Sequence, residues 1–197
     1  MSIKTCLESL PWINAAYVAK APSKIACLEL NPQGIEVYRQ QGRAHLLALI
    51  NQHLPEALIS ELTLFTDKLP NQFDVIDLEQ KLTQGIKDPE WHSCQEKDNT
   101  YVLQGQVPVD LLYFRDHFDS FPLVPGVVIL RWIKKQAQKI YPALDYVGQV
   151  KNLKFQNFTQ PNDLIELTFI WDKDKQRLEF KLETAGKPSC KGYYFYA

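Results

Sequence analysis

The sequence lacks the features that mark membrane, secreted and metal-binding proteins. No apolar run reaches the ~18 residues needed to cross a bilayer, and the N-terminal segment MSIKTCLESLPW has no apolar h-region typical of a secretion signal. The cysteines are too few and too widely spaced for a disulfide framework or a zinc site; they are Cys6, Cys27, Cys94 and Cys190. We therefore predict reduced thiols, no metal, and a cytoplasmic protein without a membrane span.

An excess of one charge is also missing. Lysine and arginine number 22 against 23 aspartate and glutamate residues, which gives a formal net charge of -1. This balance gives no electrostatic reason to expect nucleic acid as a partner. Hydrophobic residues make up 45% of the chain and charged residues 23%, which is close to the globular norm. The 197 residues are enough for one large domain or two small ones.

The first part of the chain mixes strand and helix signals. Short apolar runs predict strands at 15–19, 25–30 and 62–65, and helical spacing predicts helices at 35–50 and 77–82. Gly42 is a candidate interruption of the longer helix. Residues 84–100 carry few aliphatic side chains, so they are the best candidate linker. This pattern predicts a small α+β domain over residues 1–90.

The second part of the chain is built differently. It has one strong helical pattern, at 127–140, preceded by an alternating run at 101–109. Four further strands are predicted after the helix, at 148–158, 164–171, 177–184 and 192–196. An antiparallel sheet wrapped round a central helix fits this order better than a doubly wound sheet does. The predicted class of the whole chain is therefore α+β, with a second domain at 97–197.

The stretch DLLYFRDHFDSFPLVPGVVILRW, residues 110–132, carries the clearest chemistry. His117 precedes a loop that is stiffened by Pro122 and Pro125 and leads into the helix. Gly126 allows a close approach of the backbone, and the N–H groups of Gly126 and Val127 would point at an oxygen bound there. A thioester carbonyl polarised by such groups has a more acidic α-carbon, and a nearby histidine can take that proton.

These residues resemble the 3-hydroxyacyl-acyl-carrier-protein dehydratases, and most of all their aryl-polyene-type (ApeI-like) relatives. That family carries a pattern like F-x-G-H-F-P-x-x-P-x-x-P-G-V, which is matched in register here. The matching residues are Phe114, His117, Phe118, Pro122, Pro125, Gly126 and Val127. Downstream, Gln160-Pro161-Asn162-Asp163 is similar to the family's Pro-Gly-Asp turn. The resemblance covers about 100 residues and implies a hotdog fold, with His117 catalytic and Phe118, Pro125, Gly126 and Val127 against the substrate.

The chain departs from this pattern at three positions. Asp116 replaces the family's glycine before the histidine, and Asp119 replaces a proline after it. The family's acid, expected fourteen residues after the histidine, falls on Arg131, and an arginine side chain keeps its proton at neutral pH. Three readings stay open: Asp116 or Asp119 acts as the acid, a partner subunit supplies it, or this copy is catalytically weak. Arg131 could instead contact a phosphate or carboxylate of the substrate.

The N-terminal segment resembles the small C-terminal lid of adenylate-forming acyl ligases. The phrase FTDKLPN, residues 65–71, is similar to F-V-D-x-L-P-x-N in those lids. The adenylation lysine of that family would fall near Val75 and is absent. The resemblance implies a ligase remnant that now serves as a docking surface, for example for a carrier protein.

Together these patterns predict dehydration of a 3-hydroxyacyl group carried on acyl-carrier protein, without a cofactor. By resemblance, the pathway is aryl-polyene or fatty-acid-like chain building, and the partner is a second hotdog subunit in a homodimer or heterodimer. Two alternatives remain. The chain could be a non-catalytic hotdog subunit that binds acyl chains or stabilises an active relative, or it could be a thioesterase.

Overall fold

The computed structural model describes residues 2–19, 25–54, 63–118, 120–143 and 147–196. The chain forms two compact units. The first consists of Met1–Lys87 together with Pro108–Leu123, and the second consists of Asp88–Val107 together with Val124–Ala197. None of the described helices is both long enough and apolar enough to span a membrane.

Among its described residues, the first unit contains a three-stranded sheet and three helices. Its elements are α1 (Ile3–Glu8), β1 (Ile13–Val18), β2 (Ala26–Leu30), α2 (Pro32–Gln52), β3 (Thr63–Thr66), α3 (Val75–Gln84) and a 3-10 turn at Leu112–Arg115. The strand order is β1-β2-β3, with β1 antiparallel and β3 parallel to β2. A parallel pair needs a crossover connection, and α2 lies in the segment that joins β2 to β3.

Helix α2 begins and bends at residues whose chemistry explains both features. The Asn31 side chain accepts a hydrogen bond from the Gly34 N–H at 3.0 Å, and Pro32 occupies the first turn, a common way to begin a helix. Gly42 interrupts the helix with φ +81°, a backbone region that favours glycine. The predicted interruption at Gly42 is therefore confirmed.

In the part of the chain that the structure describes, the second unit contains a six-stranded sheet and one long helix. Its elements are β4 (Glu90–Lys97), β5 (Thr100–Gln106), α4 (Gly126–Ile140), β6 (Val147–Phe155), β7 (Leu164–Asp172), β8 (Arg177–Thr184) and β9 (Lys187–Tyr196). The strand order is β4-β5-β7-β8-β9-β6, and every pair in this sheet is antiparallel. This confirms the predicted α+β class and the antiparallel sheet with a single long helix.

The core of this unit follows from the side-chain periods of its elements. Leu178, Phe180 and Leu182 alternate along β8 and are all buried, as the period of two in a strand requires. Helix α4 buries one face with Val128, Ile129, Trp132, Ile133, Gln136 and Ala137. The Tyr194 hydroxyl of β9 donates a hydrogen bond to the Leu130 carbonyl at 3.1 Å, which ties the helix to the sheet.

The predicted linker at 84–100 is wrong for most of its length, because β4 occupies Glu90–Lys97. The side chains of β4 are exposed or half-buried, so the strand has no apolar period for a sequence pattern to detect. Main-chain pairing with β5 stabilises it instead. The short helix α1 was also missed. Residues 108–123, which the sequence placed in the domain at 97–197, group with the first unit.

Candidate active site

His117 lies in the first unit, just after the 3-10 turn Leu112–Arg115. Its carbonyl accepts a hydrogen bond from the Leu123 N–H at 3.0 Å, and its half-buried ring stacks on Phe118 with 4.6 Å between the ring centroids. No side chain in the described part of the chain hydrogen-bonds to the imidazole nitrogens. Within the described residues, the side chain of His117 therefore makes its contact by ring stacking on Phe118.

The neighbours of His117 in sequence point mostly towards solvent. Asp116 is exposed, and Phe118 is 56% exposed. Asp119, the other candidate acid, lies outside the described residues. In the described loop, Asp116 is therefore the candidate acid with a defined position.

The N-terminus of α4 in the second unit carries the predicted carbonyl-binding groups. Pro125 is the residue before the helix, and no side chain caps it. The Val128 and Ile129 N–H groups donate to the Pro125 carbonyl at 2.9 and 3.1 Å. Within the described residues, the N–H groups of Gly126 and Val127 have no such acceptor. Unpaired N–H groups at a helix N-terminus favour an oxygen ligand.

Gly126 has a packing role that the sequence did not reveal. A Cβ atom added at this position would lie 2.8 Å from Cζ of the Phe155 ring, which is closer than carbon atoms can approach. The ring of Phe155 therefore occupies the space that a side chain at residue 126 would need. Val127, the next residue, is 74% exposed.

Arg131 lies one helical turn after Val127 and is paired with a carboxylate of its own chain. Its Nη2 atom is 3.9 Å from Oδ1 of Asp88, while Nζ of Lys135 lies 2.7 Å from Oδ2 of the same aspartate. Asp88 was not among the predicted site residues, since it falls in the segment read as a linker. The position where the dehydratase pattern carries an acid is thus occupied by an arginine with a carboxylate nearby.

The predicted Pro-Gly-Asp-like turn is confirmed in its geometry. Asn162 has φ +65°, a value that glycine adopts freely and that asparagine tolerates better than most residues. The Asp163 carboxylate accepts a hydrogen bond from the Gln160 N–H at 2.7 Å. Just before this turn, the Thr159 carbonyl accepts from the Val124 N–H at 2.8 Å, which fixes the chain two residues before α4.

The predicted site residues thus fall into two sets. Asp116, His117 and Phe118 belong to the first unit, and Pro125, Gly126, Val127 and Arg131 belong to the second. Sequence reasoning also missed a buried carboxylate, Asp110, with its partners Tyr38 and Arg43. Nothing in the local pattern marks Asp110 as buried, because its partners are about 70 residues away.

The six-stranded antiparallel sheet and the long helix of the second unit define a hotdog fold. A family model described as ApeI dehydratase (ApeI-like) matches residues 93–193. The chain therefore belongs to the ApeI-like dehydratase family.

Curated and solved relatives agree with this family. The 3-hydroxyacyl-[acyl-carrier-protein] dehydratases FabZ of Lactiplantibacillus plantarum and Latilactobacillus sakei are both 27% identical to the chain, over 73 and 84 residues. These matches cover 34% and 39% of the chain and only 50% and 60% of the relatives' own length. The dehydratase heterocomplex ApeI:P from Xenorhabdus doucetiae is 25% identical, with a TM-score of 0.51, over 55% of this chain and 96% of that one.

Proposed function

We propose that this protein dehydrates a 3-hydroxyacyl thioester carried on acyl-carrier protein to the trans-2-enoyl thioester. The observation that carries the proposal is His117, which stands at the histidine of the family pattern within the family match over residues 93–193. The names of the FabZ relatives support the same reaction class. The pathway we propose is aryl-polyene or fatty-acid-like chain building in the cytoplasm.

In the proposed reaction, His117 removes a proton from the α-carbon of the acyl chain. The N–H groups of Gly126 and Val127 bind the thioester carbonyl oxygen and stabilise the negative charge that develops on it. The C3–O bond then breaks, and the hydroxyl leaves as water after it takes a proton from an acid. The C–H bond electrons form the C2=C3 double bond as the hydroxyl leaves, and the loss of water involves no net oxidation or reduction, so the step needs no redox cofactor.

The leaving hydroxyl needs a proton from an acid, and the chain offers two carboxylates close to His117 in sequence. Asp116 and Asp119 are the carboxylates nearest to His117 in sequence, and Arg131 stands where the family pattern has its acid. Since an arginine keeps its proton at neutral pH, we propose that Arg131 orients the substrate and that Asp116, Asp119 or a partner subunit supplies the proton.

A second candidate function is a non-catalytic hotdog subunit that binds acyl chains or stabilises an active relative. The substitution of Arg131 at the acid position favours it, as does the pairing of Arg131 with Asp88. The ApeI:P relative is itself described as a dehydratase heterocomplex. A thioesterase is the third alternative, and it would release a free acid, whereas a dehydratase releases water and a non-catalytic subunit gives no product.

We propose that the protein functions as a dimer, either with itself or with a related hotdog subunit. Strand β6 is the last strand of the six-stranded sheet, and an unpaired edge with apolar side chains is suited to pairing with another chain. Val150, Leu153 and Phe155 on β6 are 40%, 37% and 47% exposed, and Phe158 just after it is 66% exposed. These residues are the proposed dimer contact.

The experiment that tests the function compares wild type, His117→Ala and the control His92→Ala on a 3-hydroxyacyl carrier protein by mass spectrometry. His92 is an exposed residue of β4, so its removal should leave turnover unchanged. A loss of one water that disappears only in His117→Ala would establish the dehydratase. Release of the free acid would instead identify a thioesterase.

The same assay is repeated with a candidate partner subunit, because a partner could supply the acid. If neither the protein alone nor the mixture turns over, the dehydratase proposal is wrong. The protein would then be a binding or stabilising subunit.

A further inference from the structure

The loop that carries His117 lies within the family match over residues 93–193. In the structure, however, this loop belongs to the first compact unit. Leu111 and Phe114, which precede the histidine, are 0% and 1% exposed. The Leu112 N–H donates a hydrogen bond to the Ile86 carbonyl at 2.8 Å, and Leu111 forms an isolated β-bridge with Ile86. Ile86 of the N-terminal segment therefore holds the stretch of chain that leads to His117.

The centre of this contact is the buried carboxylate of Asp110. Its side chain is completely buried and accepts hydrogen bonds from three groups of the N-terminal segment. The Tyr38 hydroxyl donates at 3.0 Å, the Arg43 Nε at 2.9 Å and the Phe65 N–H at 3.2 Å. Arg43 also donates to the Thr63 carbonyl, so the same guanidinium holds both the loop and β3.

Because the Asp110 carboxylate is buried and charged, it needs these particular hydrogen-bond donors. A buried carboxylate is tolerated only when its charge and its lone pairs are satisfied, and Asp110 obtains its partners from α2 and β3. Burial and the nearby Asp110 charge also raise the pKa of Tyr38 well above its usual value, so the tyrosine stays a hydrogen-bond donor. The loop therefore has one favourable position against the N-terminal segment.

Only six residues separate Asp110 from His117, and two of them are core residues. The path between the anchor and the histidine is therefore short and held at two buried residues, so we expect a shift of the anchor to move the imidazole. Catalytic geometry is sensitive to such shifts, since a misplacement of about 1 Å can cost about 100-fold in rate.

We propose that Tyr38 and Arg43 are positioning residues that hold the His117 loop in its reactive place through Asp110. On this view the lid-like N-terminal segment is a working part of the site rather than a remnant. The inference rests on the proposed function for its effect on rate, but the anchoring itself is measured without substrate.

The test uses the 197-residue chain with Asp110→Asn, Tyr38→Phe and Arg43→Lys. Each variant keeps the size or the charge of the side chain and removes part of the hydrogen-bond network. Asp77→Asn is the matched control. It makes the same change in an exposed carboxylate of the first unit, one that is paired with Lys81 on α3. Thermal unfolding identifies which variants remain folded, and Tyr38→Phe tests the proposal if the other two do not fold.

The first readout is the NMR signal of the His117 ring in protein labelled at histidine, assigned by its loss in His117→Ala. The chain has four histidines, so the signals are few, and His92 in the second unit serves as the internal reference. We expect the network variants to shift or broaden the His117 signal, because they loosen the anchor of its loop. Asp77→Asn should leave the signal unchanged.

The second readout is steady-state kinetics on the 3-hydroxyacyl carrier protein. We expect kcat to fall about 10- to 100-fold in the network variants, with KM within about threefold of wild type. A folded variant whose His117 signal matches wild type in position and width would overturn the proposal, whatever its activity. If wild type shows no turnover, the proposed function is wrong. The NMR result then still tests the positioning role of Tyr38 and Arg43, because it needs no substrate.

Discussion

At the scale of single residues, Gly126 and Phe155 form a contact that depends on the absence of a side chain. A methyl group at residue 126 would lie 2.8 Å from the Phe155 ring, so the ring or the helix start must shift to admit it. The position of the Gly126 N–H group, which the proposed mechanism uses, is thus linked to an aromatic ring on β6.

Gly126→Ala should therefore be destabilising because of its clash with Phe155. We expect a loss of about 1–2 kcal/mol in the free energy of unfolding, measured by urea denaturation. In a Phe155→Ala background the same substitution should cost about 1 kcal/mol less. Equal costs in the two backgrounds would show that the ring does not set the requirement for glycine.

The four cysteines should differ strongly in reactivity. Burial raises the pKa of both Cys27 and Cys190 to about 12, whereas Cys94 is exposed. Because the thiolate is the reactive form, a thiol reagent at pH 8 should label Cys94 at least about 10-fold faster than the two buried thiols. Mass spectrometry of labelled peptides measures the rates, and urea-unfolded protein is the control in which all four should react alike.

At the scale of elements, a buried hydroxyl cluster ties the segment before β7 to strands β8 and β9. The Thr159 hydroxyl lies 2.9 Å from that of Thr184 and 3.1 Å from that of Ser189, and all three residues are buried. Since the Thr159 carbonyl also holds Val124 before α4, the cluster helps to place the helix start.

Thr159→Val should cost about 1–3 kcal/mol, because it leaves the buried Thr184 hydroxyl without its partner. The control is Thr168→Val on β7, where the side chain is half-buried on the face opposite Leu167 and Phe169. The control should change stability by no more than about 0.5 kcal/mol. Chemical denaturation of both variants makes the comparison, and similar losses would contradict a special role for the cluster.

At the scale of the whole molecule, the buried thiols make stability fall in alkaline solution. A thiol in an unfolded chain titrates near pH 8.5, while Cys27 and Cys190 have folded-state pKa values of about 12. Their stabilisation is therefore fully present below about pH 8.5 and is lost as the pH rises from there towards 12.

We expect the free energy of unfolding to fall by up to about 2 kcal/mol per buried thiol between pH 7.5 and about pH 10. Urea unfolding at the two pH values measures this loss. Cys27→Ala should reduce the pH dependence, while Cys94→Ala should leave it as in wild type. An unchanged pH dependence in Cys27→Ala would mean that other groups cause the alkaline loss.

The proposed dimer predicts that a charge on β6 separates the subunits. Leu153→Lys places a cation on the exposed apolar edge, and such charges block edge pairing. Sedimentation velocity should show a dimer for wild type and a monomer for this variant. Gln95→Lys, on the opposite edge strand β4, should remain dimeric, and loss of the dimer there as well would argue against β6 as the contact.

The sequence by itself determined those elements whose signals are local. A side-chain period of two predicts the alternating apolar residues of β7 and β8, and a period of 3.6 predicts the apolar face of α4. The glycine at residue 42 predicted the interruption of α2. The family pattern around His117 was also visible, because its residues are contiguous. The Pro-Gly-Asp-like turn could be read although asparagine replaces glycine at residue 162.

Only the tertiary structure decided what depends on pairing between distant residues. Strand β4 exists through main-chain bonds to β5 and has no apolar period, so no local pattern could reveal it. Asp88 beside Arg131, and Phe155 against Gly126, are neighbours only after folding. Asp110 is the clearest case. The sequence shows only an acidic residue beside apolar ones, whereas the folded chain buries its carboxylate against hydrogen-bond donors from α2 and β3.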